Sequence, residues 1–226
     1  MTESNNEHVT FALPIGAMGN IAAGMLSRKC GLPIEKFIGS VNVNDITHRV
    51  FSTGVFAIEP DMIKNLSEAI NIQAPYNFER ILYWTTGENA KMVKGLYEQF
   101  EASGRMEMPP DVHKTLQRLC TTYRVEDDQM LQVIRTYAAH DYLLDPHSAV
   151  AYYGASKTTK AGKLGVLCTA HWCKFEHAMQ VAFDGKFTEE YPEKIKQLML
   201  AEEQPYAGNF TADKDWQAEL YKLIKA

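Results

Sequence analysis

The amino-acid sequence predicts an α/β fold with a mostly parallel sheet, and three neighbouring segments carry this prediction. An apolar run at residues 9–13 is typical of a buried strand. A helical pattern follows at residues 21–30 and is ended by Gly31 and Pro33. A second apolar run at residues 36–41 completes a strand–helix–strand unit, in which we expect parallel strands joined by a right-handed crossover.

The turn between the first strand and the first helix contains Gly16, Gly19 and Asn20. Glycine permits a positive φ and lets a ligand approach the backbone closely. The free N–H groups of such a turn, with the helix N-terminus behind them, form a cradle for an anion. The spacing alone is equally compatible with a tight turn that binds nothing, because a short Gly-x-x-Gly is common.

Composition and charge exclude several classes of function. With 46% apolar and 23% charged residues, the chain of 226 residues has an ordinary globular composition, enough for one domain or two small ones. A net charge of -5 argues against non-specific binding to nucleic acid. No apolar run is long enough to span a bilayer, and residues 1–8 lack a signal-peptide core. We therefore expect a cytoplasmic protein with no membrane or nucleic-acid partner, whose four cysteines are reduced thiols.

Polar residues follow the second predicted strand. In open α/β sheets, ligands bind at the carboxyl ends of the strands. Asn42 and Asn44 are therefore expected to face the same crevice as the turn at residues 16–20. Alternatively, Asn44 or Asp45 only caps the short helix that follows.

Helical patterns replace the strand pattern from residue 60 to residue 144. Helices are predicted at residues 77–86, 90–102, 111–122 and 127–139. The first of them carries Glu79 and Arg80, which form either a substrate-binding pair or a structural ion pair. The tail from residue 189 is also helical and amphipathic, with an apolar stripe at Trp216, Leu220 and Leu223.

Two later segments add candidate site residues. A helix that begins at Pro146 places His147 and Ser148 in its first turn, where free N–H groups favour anions. His147 is a candidate to contact the substrate, whereas Ser148 either joins it or only caps the helix. A further buried strand is predicted at residues 164–168 and ends at Thr169.

The same region carries a rival metal-binding pattern. Its four side chains are Cys168, His171, Cys173 and His177. Their spacing lacks a tight Cys-x-x-Cys pair, and Cys168 falls within a predicted buried strand. Free cysteine often serves as a small core residue, so we expect no metal site here.

Several segments, in one order along the chain, resemble a known family. The most informative are Pro14-Ile15-Gly16-Ala17-Met18-Gly19-Asn20, Asn42-Val43-Asn44-Asp45, Asn77-Phe78-Glu79-Arg80, Asp145-Pro146-His147-Ser148-Ala149 and Thr169-Ala170-His171-Trp172-Cys173-Lys174-Phe175. Together they resemble the threonine synthases, which are PLP-dependent enzymes of fold type II in the tryptophan-synthase-like group. The resemblance extends over residues 9–182 and is greatest to the branch with the threonine synthase-like proteins of animals.

This resemblance implies a cofactor and its binding residues. It implies a three-layer fold with a helical insert, and a loop that binds the 5′-phosphate of pyridoxal 5'-phosphate (PLP). The loop residues are Gly16, Ala17, Met18, Gly19 and Asn20. The hydroxyl of Thr169 is implied to hydrogen-bond the pyridine nitrogen, and His147 and Ser148 to lie beside the active site. A neutral hydroxyl leaves that nitrogen unprotonated, and the weaker electron sink suits elimination and replacement chemistry.

One part of the family pattern is missing. PLP enzymes use a lysine to attach the cofactor, and in threonine synthases it lies in a Phe-Lys-Asp-type motif well upstream of the phosphate loop. Only thirteen residues precede Pro14, Lys214 has no preceding Phe, and Lys174 belongs to another motif. We therefore expect one incomplete PLP-binding domain, made of residues 1–59, a helical insert at 60–144, and residues 145–226, without the N-terminal part of the family fold.

Two functions are compatible with these features. The first is a portion of a PLP-dependent lyase that acts on O-phosphohomoserine or a related γ-phosphorylated amino acid, giving threonine or a keto acid plus phosphate. Such a portion is not expected to be catalytic alone. The alternative is a non-catalytic truncated or splice product that binds other proteins. Exposed sheet edges and apolar surface would favour pairing with an N-terminal half, or self-association.

Overall fold

Strands and helices alternate along the chain in the computed structural model, which describes residues 8–158, 162–202, 215, 217, 218, 221 and 222. The strands are β1 (Val9–Pro14), β2 (Ile34–Val41), β3 (Val55–Ala57), β4 (Arg105–Glu107), β5 (Cys120–Arg124) and β6 (Lys163–Val166). The helices are α1 (Gly19–Lys29), α2 (Ile46–Thr53), α3 (Phe78–Thr85), α4 (Ala90–Ser103), α5 (Pro110–Leu119), α6 (Asp127–Ala138), α7 (Pro146–Ser156), α8 (Glu176–Ala182) and α9 (Glu193–Leu200). Two 3₁₀ turns lie at Glu68–Ile70 and Trp172–Lys174.

The chain forms two compact units, residues 1–187 and residues 188–226. The first unit contains the sheets and helices α1 to α8. The second contains α9, and the predicted stripe at Trp216, Leu220 and Leu223 lies outside the described residues. Within the described ranges, no helix combines the length and the apolar character needed to cross a bilayer.

The main sheet has four strands in the order β5-β2-β1-β6, and each neighbouring pair is parallel. The predicted strand–helix–strand unit is confirmed, because β1 and β2 pair directly with Leu13 opposite Gly39. On the other side of β1, Ala12 lies opposite Val166 of β6. The carboxyl ends of β1 and β6 therefore meet at the same edge of the sheet.

Helices cover both faces of this sheet, which gives the three layers that the sequence predicts. Side chains alternate between the faces of a strand. On β2, Phe37 joins the large core shared with α1, α2, α3 and α5, while Ile38 packs with Ala155 of α7 on the opposite face. Strands that are buried on both faces are apolar throughout, as the two sequence runs indicated.

One predicted helix ends early. The helix expected at residues 111–122 ends at Leu119, and Cys120 begins β5, which pairs with Phe37 of β2. The segment Thr121-Thr122-Tyr123 is β-branched and aromatic, and this composition suits a strand once a partner is available. The segment predicted to be a helical insert therefore also supplies a strand to the parallel sheet, as well as β4, which pairs antiparallel with β3.

Close packing of α1 on β2 predicts opposite effects for one substitution at two helical glycines. A Cβ at Gly24 would lie 2.5 Å from the Phe37 ring, which is 1% exposed and cannot move away. Gly24→Ala should therefore lower the free energy of unfolding by about 1–3 kcal/mol, measured by urea denaturation.

Gly95 of α4 is the matched control, because a Cβ there meets nothing within 4 Å. Gly95→Ala should raise the free energy of unfolding by about 0.5–1 kcal/mol through helix propensity alone. If both substitutions are stabilising, the packing of α1 against Phe37 is not as described.

Candidate functional site

A cavity of about 300 Å³ lies at the carboxyl ends of β1 and β6. Its walls are residues 14–21, residues 69–70, His147, residues 169–170 and residues 174–175. The volume falls at the lower end of the range for small-molecule sites, about 300–1,000 Å³. The structure thus brings the predicted loop, His147 and Thr169 to one cavity, although about 150 residues separate the first from the last along the chain.

The loop bends at an unexpected residue. Met18 has φ 62° and ψ 15°, the left-handed conformation, whereas neither Gly16 nor Gly19 has a positive φ. Such a conformation costs a non-glycine residue on the order of 1–3 kcal/mol. The side chain of Met18 is 1% exposed, so burial in the core offsets this cost and holds the bend.

The two glycines of the loop have different roles. A Cβ at Gly16 would lie 3.2 Å from Ile70, so glycine lets the 3₁₀ turn at Glu68–Ile70 pack against the loop. A Cβ at Gly19 would meet only Asn77, at an ordinary 3.5 Å. Packing within the described chain therefore does not require glycine at position 19, whereas the absence of a Cβ leaves the backbone there open to close approach.

The N-terminus of α1 is open to an anion. Met18 at the N-cap provides no side-chain cap, and the first turn contains no acidic residue. Asn89 and Asp145 cap α4 and α7 with their side chains, whereas α2, α3, α5, α8 and α9 begin without a side-chain cap, as α1 does. The first N–H groups of a helix have no partner within it, and the helix dipole favours negative charge there. The cradle fits a phosphate group such as that of PLP.

Asn77 fixes this loop from outside. Its Nδ2 and its backbone N–H both donate to the carbonyl oxygen of Ala17, at 2.9 and 3.2 Å. The N–H of Ile15 donates to Ser40 of β2 at 2.8 Å. Hydrogen bonds therefore hold the loop at Ile15, where it begins, and at Ala17, near its middle.

The opposite wall is built on a buried carboxylate. Asp145 is 2% exposed and caps α7, because its Oδ1 accepts from the N–H groups of His147 and Ser148 at 2.9 and 3.3 Å. Ser148 is not the cap; its Oγ donates to Oδ2 of Asp145. Burial alone would raise the pKa of Asp145, but hydrogen bonds from His147 and Ser148 outweigh it and hold the pKa below its ordinary value. An Asp directly before a Pro at the first helical position is the sequence signal that could have identified this residue.

His147 is fixed in one tautomer. Its Nε2 accepts from the N–H of Ala69 at 3.1 Å, so the proton is on Nδ1, which donates to Asp145 Oδ1 at 3.1 Å. The ring packs against Phe175 with the centroids 4.6 Å apart. Both ring nitrogens thus have partners within the chain, and the imidazole shapes the wall.

Thr169 presents a free hydroxyl. Its backbone N–H donates to Ser148 Oγ at 3.3 Å, and the residue is exposed. Its side-chain hydroxyl has no hydrogen-bond partner among the described residues, so it is available to a ligand in the cavity.

Asn42 and Asn44 are not among the residues that line the cavity. Asn42 Nδ2 donates to Asn71 Oδ1 at 2.7 Å, and Asn44 Nδ2 donates to Asn71 Oδ1 at 2.8 Å and to the carbonyl oxygen of Ile63 at 2.9 Å. Residues 63–71 cover the carboxyl end of β2, and no sequence signal indicated this cover. The two side chains therefore support the segment that carries Ala69 into the cavity wall.

Other candidates are placed differently. Glu79 and Arg80 line a larger cavity, about 1110 Å³, between α1, α3 and α4. Lys174 belongs to the same sequence segment as Thr169. Within the part of the chain that the structure describes, it is the one charged residue that lines the smaller cavity. Among the described residues, Cys168, His171, Cys173 and His177 included, no group of three or more His, Cys, Asp or Glu residues could hold a metal ion.

Known proteins are similar over most of this chain. No family model matches the sequence. Threonine synthase-like 2 of Rattus norvegicus is 34% identical over 224 residues, 96% of this chain and 45% of that protein. Threonine synthase of Pseudomonas aeruginosa is 34% identical over 181 residues, 79% of this chain and 38% of that protein. A crystal structure of PLP-bound threonine synthase from Brucella melitensis has a TM-score of 0.83 at 30% identity, covering 89% of this chain and 43% of that one.

The chain spans about half the length of the curated relatives that it matches, which fits the predicted similarity to the C-terminal portion of the family's chain. Its parallel sheet between helical layers is the fold type II architecture of the matched structure. The order of the motifs, the fold and the identity over nearly the whole chain agree. The chain belongs to the threonine synthase family of PLP-dependent enzymes.

Proposed function

We propose that this chain forms the PLP-binding portion of a threonine synthase-like lyase. The observation that carries the proposal is the shared cavity, which has an uncapped helix N-terminus on one wall and the free Thr169 hydroxyl on another. The N–H groups of Gly16, Ala17, Met18, Gly19 and Asn20 would hold the phosphate of PLP. Thr169 would hold the pyridine nitrogen.

PLP, when bound, supplies an electron sink for chemistry at the α-carbon of an amino acid. In this proposal the Thr169 hydroxyl sets the strength of that sink, because a neutral partner leaves the ring nitrogen unprotonated. The loop and α1 orient the cofactor through its phosphate. Lys174 adds positive charge to a cavity without acidic lining among the described residues, which favours anionic ligands.

The proposed substrate is O-phosphohomoserine or a related γ-phosphorylated amino acid, converted to threonine or to a keto acid with release of phosphate. His147 would shape the wall beside it, Ser148 would support that wall through Thr169, and Asn42 and Asn44 would act by holding residues 63–71 in place. The relatives' names support the family's reaction, and the positive cavity supports a doubly anionic substrate.

We further propose that this chain is not catalytic by itself. The family's attachment lysine lies in a motif upstream of the phosphate loop, and it is absent from residues 1–13. Lys174 lines the cavity, but it belongs to the segment that carries Thr169. The whole reaction would need the lysine from the N-terminal portion of the family's fold.

The cradle predicts a loss of anion binding on Gly19→Asp. A carboxylate in the first turn of α1 would repel a phosphate, so the affinity for PLP and for inorganic phosphate should each fall at least about tenfold in calorimetric titration. The helix content should persist, because a negative charge in the first turn favours the helix.

The matched control is Gly95→Asp, which adds the same charge to an exposed position of α4 with no atom within 4 Å of its Cβ. This variant should bind both anions like the parent. Equal affinity of Gly19→Asp and the parent would falsify the phosphate cradle.

Borohydride reduction in the presence of PLP tests whether any lysine of this chain attaches the cofactor. We expect mass spectrometry to find no stoichiometric pyridoxyl group on any lysine of this chain, and no threonine formed from O-phosphohomoserine. Lys174→Met should leave the background labelling unchanged. Stoichiometric labelling of Lys174 in the parent, lost in this variant, would mean that the chain carries its own attachment lysine.

A further inference from the structure

The carboxylate of Asp145 connects three separate segments of the cavity wall. It caps α7, it accepts from the His147 ring, and it accepts from the Ser148 hydroxyl. His147 and Ser148 in turn bond to Ala69 and Thr169, which lie on two other wall segments. Asp145 itself does not line the cavity.

The connection to Thr169 has a defined direction. A hydroxyl has one proton, and that of Ser148 is donated to Asp145 Oδ2. Its lone pairs therefore point away from the carboxylate and accept the backbone N–H of Thr169 at 3.3 Å. Asp145 thus sets the orientation of the group that holds the Thr169 backbone.

The connection to Ala69 is fixed in the same way. Because Asp145 takes the Nδ1 proton of His147, the unprotonated Nε2 is left to accept the N–H of Ala69. The next residue, Ile70, is the one that packs against Gly16 of the phosphate loop. The carboxylate is therefore linked to both ends of the proposed PLP site.

Burial makes this arrangement rigid. Asp145, His147 and Ser148 are 2%, 2% and 1% exposed. Water cannot replace a lost partner at such positions, and an unsatisfied buried polar group is costly. Loss of the acceptor at Asp145 should therefore reorient the buried hydroxyl of Ser148, and with it the hydrogen bond from the Thr169 backbone N–H.

We propose that Asp145 is a positioning residue that acts through Ser148 to hold Thr169 where its hydroxyl meets the pyridine nitrogen of PLP. This role rests on the proposed function, because it requires PLP to lie between the phosphate loop and Thr169. It concerns the ring end of the cofactor and leaves phosphate binding by the loop to α1.

A double-mutant cycle with two probes tests this role. Affinities for PLP and for inorganic phosphate are measured by calorimetry for the parent, Asp145→Asn, Thr169→Ala and the double variant. The asparagine keeps the shape but offers a donor where Ser148 needs an acceptor. Each single change should weaken PLP about three- to tenfold, the range expected for one hydrogen bond, and leave the affinity for phosphate unchanged. The double variant should bind PLP no more weakly than Thr169→Ala, because both changes remove the same interaction.

Asp111→Asn is the control for the same change of charge elsewhere. Asp111 lies in the first turn of α5, is exposed, and is not among the residues that line the cavity. This variant should not change the ratio of the two affinities. If Asp145→Asn does not fold, as judged by circular dichroism, Ser148→Ala replaces it in the cycle and should behave in the same way.

The outcomes separate this inference from the proposed function. A parent chain that binds PLP no more tightly than phosphate overturns both. The positioning role alone is overturned if the parent binds PLP more tightly than phosphate, but the losses of PLP affinity in Asp145→Asn and Thr169→Ala multiply in the double variant. If Asp145→Asn loses affinity for PLP and for phosphate equally, or if neither Asp145→Asn nor Ser148→Ala folds, Asp145 is purely structural. Either result also overturns the positioning role.

Discussion

Parallel pairing on both sides of β1 is the constraint on which the candidate site depends. Ala12 lies opposite Ile38 of β2 and Val166 of β6, and the N–H of Leu167 continues the ladder by donating to Ala12 at 2.9 Å. Because both pairs are parallel, the loop after β1 and the segment after β6 leave the sheet at one edge. The loop reaches the cavity directly from β1, and Thr169 follows β6 within three residues. An antiparallel β6 would have placed Thr169 at the other edge.

The walls above this edge are held by buried polar groups and not by apolar packing alone. Asn42 and Asn44 secure residues 63–71, and Asp145 secures His147 and Ser148, by the hydrogen bonds given above. Each of these groups, left without a partner, would cost about 1–3 kcal/mol. Paired, they specify one arrangement of the backbone, because amide and carboxylate hydrogen bonds are directional while apolar contacts are not. The rigidity of the cavity therefore comes from the polar network beneath it.

The candidate phosphate cradle has several features that cost stability. Met18 adopts a left-handed conformation, α1 begins without a side-chain cap, and Gly19 is not required by internal packing. A cap is typically worth about 1 kcal/mol, and α4 and α7 have one. Locally unfavourable features of this kind cluster at functional sites, where a backbone N–H group without a partner in the helix can bind a ligand. The burial of Met18 and the two hydrogen bonds from Asn77 to Ala17 hold the loop in place despite these costs.

The sequence by itself determined the elements whose pattern is local. Strands β1 and β2 and helices α1, α3, α4 and α6 follow from hydrophobic periodicity over 6 to 14 residues, and the order of the motifs indicated the family. Only the tertiary structure decided that Cys120–Arg124 is a strand, because its five residues follow a helix directly and their preference for a strand takes effect only where β2 is available for pairing. It also decided that residues 63–71 cover Asn42 and Asn44, and that Asp145 joins three wall segments. The hydrogen bonds between these separate segments connect residues that lie 19 or more positions apart. Neither periodicity nor motif spacing indicates which distant segments will meet at the edge of the sheet.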